Sequence, residues 1–320
     1  MLILRMLLGR VLLSIVTLFI VSLIIFSMVE LLPGDVVSRM HGRMVTDEQR
    51  AIIRAALNLD TPALERYLRW LGQIARFDFG TTLALHRPIN EVLGPRISNT
   101  LILAALAFVL YLPMSLIPAS IQAIRRDGVV DQGISVVTLI LLSTPDFLLA
   151  TLLLLTFVVF FPLLPAMSIV DDVTTFWEWV RALILPAVTL SLVMSVYAIR
   201  FLRDGLIEVL DSDYIRMAEL NGLSRRAILW RHALPNALIP TLNVTALNVA
   251  YLMGGVVIVE KVFGFPGFGS LTIDAMLLLD VPLIEATVLI AAAVYIIANL
   301  LADIGAILLN PRLRTMTASK

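Results

Sequence analysis

The chain has no cysteine and only two lysines, Lys261 and Lys320, among its 320 residues. Without cysteine there is no disulfide framework, no thiolate nucleophile and no thiolate metal site. The three histidines, His41, His86 and His232, lie far apart and form no HExxH zinc pair. The lysine shortage excludes a P-loop ATPase, which needs a lysine after its glycine turn to neutralise the terminal phosphates. Lys261 is followed by Val262, and Lys320 is the last residue given. No GxSxG elbow is present either. Charge is also scarce, at 15% of residues against about 25% in soluble proteins. The 24 basic and 24 acidic residues cancel, so nothing points to a nucleic-acid partner.

What is abundant is apolar surface. Apolar residues make up 59% of the sequence, against roughly 45–50% in soluble proteins, and mean hydropathy is +0.95. A soluble globular fold and a disordered chain are both excluded. Six stretches approach the ~20 apolar residues that a spanning helix needs. They lie near 11–29, 99–122, 134–161, 182–199, 237–259 and 283–309. The expected fold is an all-α integral membrane protein with six transmembrane helices. The first stretch runs into Glu30-Leu-Leu-Pro-Gly-Asp35 without a small-residue cleavage site, so it reads as an uncleaved anchor.

Arginine placement sets the orientation. With the N-terminus inside, the cytoplasmic segments hold thirteen Lys and Arg, from Arg5 and Arg10 to Arg312, Arg314 and Lys320. The two short outer loops hold only Arg181 and Lys261. Nine more arginines lie in the first outer segment, which slightly exceeds the length over which the rule counts. Both termini are therefore expected in the cytoplasm. The expected organisation is 1–29 as N-terminus and first span, 30–98 as an extracytoplasmic helical segment, 99–309 as a five-helix core, and 310–320 as a cytoplasmic tail.

Within the outer segment, Thr46-Asp-Glu-Gln49 reads as a capping box opening a helix to about Leu57. Pro62 suits a first helical position, and Leu64, Leu68, Leu71 and Ala75 fall on one helical face. That face fits a small helical cap on the outer membrane surface, or a docking surface for an external partner. Phe176, Trp177 and Trp179 read as interfacial aromatic anchors. The run Gly264-Phe-Pro-Gly-Phe-Gly269 cannot continue a helix and predicts a tight outer turn at Pro266, Gly267 and Gly269. No lysine or following helix cap supports a phosphate cradle there.

Several polar residues fall inside expected spans. Asp146, after Pro145, comes about 18 Å along span three, near the midplane. Tyr295, Asn299 and Asp303 form an i, i+4, i+8 stripe on span six, and Asn243 and Asn248 lie on span five. Each could line a pathway or make an interhelical hydrogen bond. Two carboxylates on separate helices do not make a catalytic pair, so an intramembrane enzyme is disfavoured.

The stretch between spans four and five, 203–236, is punctuated as helix, glycine, helix. Asp213 is a candidate N-cap, Gly222 a left-handed C-terminal residue, and Ser224 the cap of a second helix running toward Leu234. Ile215, Ile228, Leu229 and Trp230 are interleaved with arginines, which predicts apolar surface offered to a cytosolic protein. An ion-coupled secondary transporter using Asp146 or Asp303 is the alternative, and it would need no such loop.

Here the residues carry a resemblance. Ala218-x3-Gly222, followed by Leu234-Pro235, has the spacing of the EAA coupling loop of ABC importer permeases. Arg216, Met217 and His232 depart from its general pattern and resemble the dipeptide, oligopeptide and nickel branch. So do Asp213-Tyr214-x-Arg216, Gly222-Leu223-Ser224 and Arg231-His232-Ala233-Leu234-x-Asn236. Pro235 departs from that branch but matches the wider pattern. Similar motifs follow along the chain: Leu32-Pro33-Gly34-Asp35, Asp78-Phe79-Gly80, Arg96-x-x-Asn99-Thr100-Leu101, Ser143-x-Pro145-x-Phe147, Val262-Phe263-x-x-Pro266-Gly267-x-Gly269, and Asn299 through Asp303 to Asn310-Pro311-Arg312.

The resemblance implies a permease of the bacterial or archaeal plasma membrane that binds no cofactor and hydrolyses no ATP itself. Its partners would be a second homologous permease, two cytoplasmic ATP-binding subunits carrying ATP and Mg, and an extracytoplasmic solute-binding protein. The coupling residues would be Asp213, Tyr214, Arg216, Ala218, Gly222, Ser224, Leu234 and Pro235. Peptides or related small solutes would cross by alternating access.

Overall fold

The computed structural model describes residues 2–31, 61–170 and 175–309. The expected Thr46–Gln49 capping box, Leu32–Asp35 and Asn310–Arg312 lie outside these residues. The chain is helical, with one isolated antiparallel bridge, Thr81 to Pro88, among the described residues. Its helices are α1 (Leu2–Leu31), α2 (Ala63–Ile74), α3 (Ile89–Ile124), α4 (Val129–Ser143), α5 (Asp146–Leu154), α6 (Phe176–Leu210), α7 (Asp213–Leu220), α8 (Arg225–Ala227), α9 (Leu234–Val262), α10 (Phe268–Leu277) and α11 (Val281–Leu309). Two π-helical segments, Leu155–Phe160 and Ile228–Ala233, extend α5 and precede α9.

Among the described residues, Leu8–Met28 of α1, α3, α6 and Val281–Leu300 of α11 are each long and apolar enough to cross a membrane. The pair α4–α5 adds a fifth candidate, bent by 108°. The 29-residue α9 has the length of a span as well. Span three is therefore not the straight helix its apolar run predicts. Pro145 has no N–H, and its ring pushes the preceding residue out of helical geometry. Thr144 accordingly sits at φ −92°, ψ 122°. Asp146 is the first residue of α5, where a carboxylate suits the positive helix end. The count of about 18 Å along an unbroken helix therefore does not apply to Asp146.

The described residues fall into two compact units, those within 3–99 with 267–296, and those within 100–266 with 297–309. In the first unit, Ile89 and Leu93 pack with Leu271, Ala275, Leu283 and Ala286. This contact explains why α3 starts ten residues before the expected span. Asp280, fully buried, accepts hydrogen bonds from the Ala84 amide at 3.0 Å and the Leu283 amide at 3.3 Å, capping α11. Helix α2 packs on α1 through Tyr67, whose hydroxyl meets Ser22 Oγ at 2.9 Å. Tyr67 also meets Phe19 edge-on and lies tilted against Phe26 and Trp70, and Arg66 pairs with Glu30. Leu64 and Leu68, on the face expected toward the membrane surface or a partner, are exposed, and the residues packed on α1 lie about a quarter turn away.

In the second unit, α6 and α9 form the centre of a core that includes Leu103, Tyr111, Leu190, Met194, Leu252 and Phe263. Pro186, inside α6, cannot bond the Ala182 carbonyl. That carbonyl accepts the Ser168 hydroxyl at 2.7 Å, while the Ser168 amide bonds the Phe263 carbonyl at 2.8 Å. The outer turn is therefore tied to α6. Its left-handed residue is Gly264, at φ +60°, rather than a later glycine. A Cβ there would lie 2.9 Å from Met167 Cε. Gly267 caps α10, and Gly269 is buried within it. A helix thus does follow these glycines, and the missing lysine alone argues against a phosphate cradle. Phe176 and Trp177 are exposed as an interfacial anchor requires, whereas Trp179 packs toward the core.

Candidate functional site

The loop expected to carry function folds as a clamp at the foot of α9. Ser212, in extended geometry, stands at the N-cap position of α7 without a side-chain capping bond, and Asp213 is the first residue of the helix. The expected cap is one residue late, because Ser and Asp are comparable N-caps and sit close together. At the other end, the Leu223 amide bonds the Ala218 carbonyl at 3.2 Å and the Gly222 amide bonds the Glu219 carbonyl at 2.9 Å. These two bonds define a Schellman closure, and Gly222 supplies the left-handed residue at φ +77°. Ser224 Oγ accepts from the Ala227 amide at 3.3 Å and starts α8.

The second helix does not end at Leu234. It passes through the π segment directly into α9. Pro235 cannot donate to the carbonyl four residues back. Just before it, bonding has shifted to a wider turn, with the Leu234 amide reaching the Leu229 carbonyl. Within this stretch the His232 carbonyl oxygen accepts two side chains, Tyr214 Oη at 2.7 Å and Asn236 Nδ2 at 2.7 Å. Asn236 Nδ2 also reaches Tyr214 Oη at 3.0 Å. Tyr214 thereby joins α7 to the first turn of α9. His232 and Asn236 belong to this site although neither was expected to act in it. The signal lay in the sequence, where both occur within one motif as Tyr214 does in another.

Helix α7 is apolar on opposite sides. Ile215 and Ala218 are buried against Ile228, Val209 and Leu210. Met217 and Leu220 point the other way, at 60% and 77% exposure. Leu223 and Trp230 are further exposed apolar side chains of the same stretch. The expected apolar surface was right in kind but not in membership, since Ile215, Ile228 and Leu229 face inward. Arg216 is exposed, Leu234 is buried with Ile199, Leu202 and Leu206, and Pro235 is exposed. This short helix thus buries one apolar face within its own chain and leaves the other exposed.

Three of the expected pathway residues, Asp146, Asn248 and Asn299, are among those described. Asn248 Nδ2 donates to the Met194 carbonyl at 3.0 Å, an interhelical bond between α9 and α6. Asp146 starts α5, and Asn299 is half-buried on α11. The side chains of Asn243 and Asp303 lie outside the described residues. No cluster of metal-ligating residues occurs among the described residues.

Residues 112–315 match the family described as binding-protein-dependent transport system inner membrane component, and residues 3–88 match the N-terminal family of the same membrane components. The chain belongs to this family. It is an ABC importer permease of the inner membrane. Similar proteins include one named "Putative peptide transport system permease protein" in Brucella abortus (strain 2308), 34% identical over 90% of this chain and 91% of that protein. A Sinorhizobium fredii protein named as a probable peptide ABC transporter permease is 32% identical, covering 90% and 92%. The oligopeptide transport system permease protein AppB of Bacillus subtilis (strain 168) is 30% identical, covering 89% and 92%. The permease works with other transporter subunits, and its two-faced α7 lies within the residues matched by the larger family region.

Proposed function

We propose that this permease pairs with a second, homologous permease to form the path for peptides or related small solutes. A solute-binding protein delivers the solute from outside, and two cytoplasmic subunits bind ATP and Mg and hydrolyse the nucleotide. The observation that carries this reading is α7, one face sealed to its own chain and the other offering Met217 and Leu220. Peptides are favoured as cargo because the similar proteins are named for peptide transport. Closure of the ATP-binding subunits would push α7, and Tyr214 would pass that push to α9. An ion-coupled carrier has no use for such a helix.

The reading is tested with the complex reconstituted into liposomes together with its solute-binding protein. Uptake of labelled di- to pentapeptides should require hydrolysable ATP inside and proceed without an ion gradient. Uptake driven by a proton or sodium gradient in the absence of ATP would overturn it.

Tyr214→Phe removes one of two donors to the His232 carbonyl and one of two acceptors for Asn236. A hydrogen bond of this kind contributes about 0.5–1.5 kcal/mol, so the fall in solute moved per ATP should be roughly two- to tenfold. Recovery of the assembled complex should be unchanged. An unchanged transport ratio would show that α7 does not act on α9 through Tyr214.

A further inference from the structure

A second connection leaves the α7 loop in another direction. The turn at 125–128 joins α3 to α4, and Asp131 lies in the first turn of α4, only 3% exposed. Both of its carboxylate oxygens are doubly engaged. Oδ1 accepts from Arg203 Nε at 2.8 Å and from Gln122 Nε2 at 3.0 Å. Oδ2 accepts from Arg203 Nη2 at 2.6 Å and from the Asp127 amide at 3.0 Å. Three helices therefore meet at one carboxylate: the end of α3, the start of α4 and the inner part of α6. Farther along α6, Arg126 Nη1 reaches Asp211 Oδ2 at 2.8 Å, at the residue that closes the helix before α7. The two attachments are about 12 Å apart along α6.

The chemistry of the first pair is informative. An arginine–carboxylate fork fixes distance and plane together, because two parallel bonds must form at once. A buried ion pair is nevertheless a poor way to gain stability, since well-packed apolar side chains of similar volume often do as well or better. What the fork supplies that an apolar pair cannot is a fixed orientation between α4 and α6. Beyond Asp131, α4 runs unbroken to Ser143 and then turns by 108° into α5.

We propose that Asp131 and Arg203 are positioning residues that make α4 move with α6, so that displacement of the α7 loop reaches the bent α4–α5 pair as well as α9. The proposal rests on the ATP-driven reading above. It assigns the first inner turn to force transmission, together with Arg126 and Asp211 as a weaker, exposed outer tie.

The test uses the whole reconstituted complex and reads three quantities: recovery of assembled complex, ATP hydrolysis, and peptide moved per ATP. Arg203→Lys keeps the charge but cannot form the fork. The double variant Asp131→Leu/Arg203→Met removes the charges while keeping apolar volume. Both should assemble and hydrolyse ATP, and both should move at least ~5-fold less peptide per ATP, the lower end of usual coupling between sites. If the double variant does not assemble, Arg203→Lys decides alone. Wild-type peptide movement per ATP in Arg203→Lys, or in an assembled double variant, would overturn the proposal. A wild-type protein that moves peptide without ATP would instead overturn the reading beneath it.

Discussion

Met217→Asp should abolish recovery of the ATP-binding subunits with the permease while leaving the permease itself folded. Met217 is 60% exposed in the middle of α7, and Leu220 lies one turn further along the same bare face. A surface substitution of this kind changes stability by only about ±0.5 kcal/mol. An interface formed over that face would bury the new carboxylate without a partner. Losing an apolar anchor at the centre of a contact typically costs about 2 kcal/mol or more, roughly thirtyfold in affinity. Desolvating the carboxylate adds to that. Met217→Leu keeps the apolar contact and should bind as the wild type does. Pull-down of tagged permease, followed by quantification of the ATP-binding subunits, reads the difference directly. Equal recovery from Met217→Asp and wild type would show that the bare face of α7 is not the docking surface.

Gly222→Val should leave those subunits bound but sharply reduce transport. Nothing lies within 4 Å of a Cβ built on Gly222, so no neighbour would be struck. The penalty comes from the backbone, because φ is +77° and a β-branched residue resists that region. Holding it there costs of order 1–3 kcal/mol. The chain escapes the strain by opening the closure that Leu223 and Gly222 make onto Ala218 and Glu219, which frees Ser224 and the start of α8. The push on α7 then reaches a loosened joint. Gly222→Asn separates shape from mere substitution, since asparagine tolerates the left-handed region. Uptake per ATP should fall at least ~5-fold in Gly222→Val and stay near wild type in Gly222→Asn. Full ATP-driven uptake by Gly222→Val would remove α7 and its closing turn from the coupling path.

Gly222 and Ser224 were legible in the sequence because local chemistry alone determines them, one through backbone sterics and the other through an orphan helix amide. The membrane class was equally plain, since 59% apolar residues leave no soluble solution. The bend at Thr144–Pro145 was hidden because both arms are apolar and the count runs through the proline without a break. On α2 the apolar arc is wide enough for two faces: Tyr67 and Trp70 pack on aromatic residues of α1, which spacing within α2 does not show, while Leu64 and Leu68 are exposed. Asp131 and Arg203 are 72 residues apart and each stands near the end of an expected span, where a charge needs no explanation. Their pairing is a product of topology. The motifs that hold Tyr214 and His232 were visible separately, but their pairing was not, since a backbone acceptor leaves no trace in side-chain identity.

The central claim is that this permease is driven by ATP hydrolysed on other chains. Purifying it from native membranes in mild detergent and identifying the accompanying proteins by mass spectrometry tests that claim most directly. Two P-loop ATPases and a second homologous permease are expected in stoichiometric amounts, with the ATPases but not the second permease lost from the Met217→Asp preparation. A permease recovered alone, and still transporting after reconstitution without ATP, would contradict it.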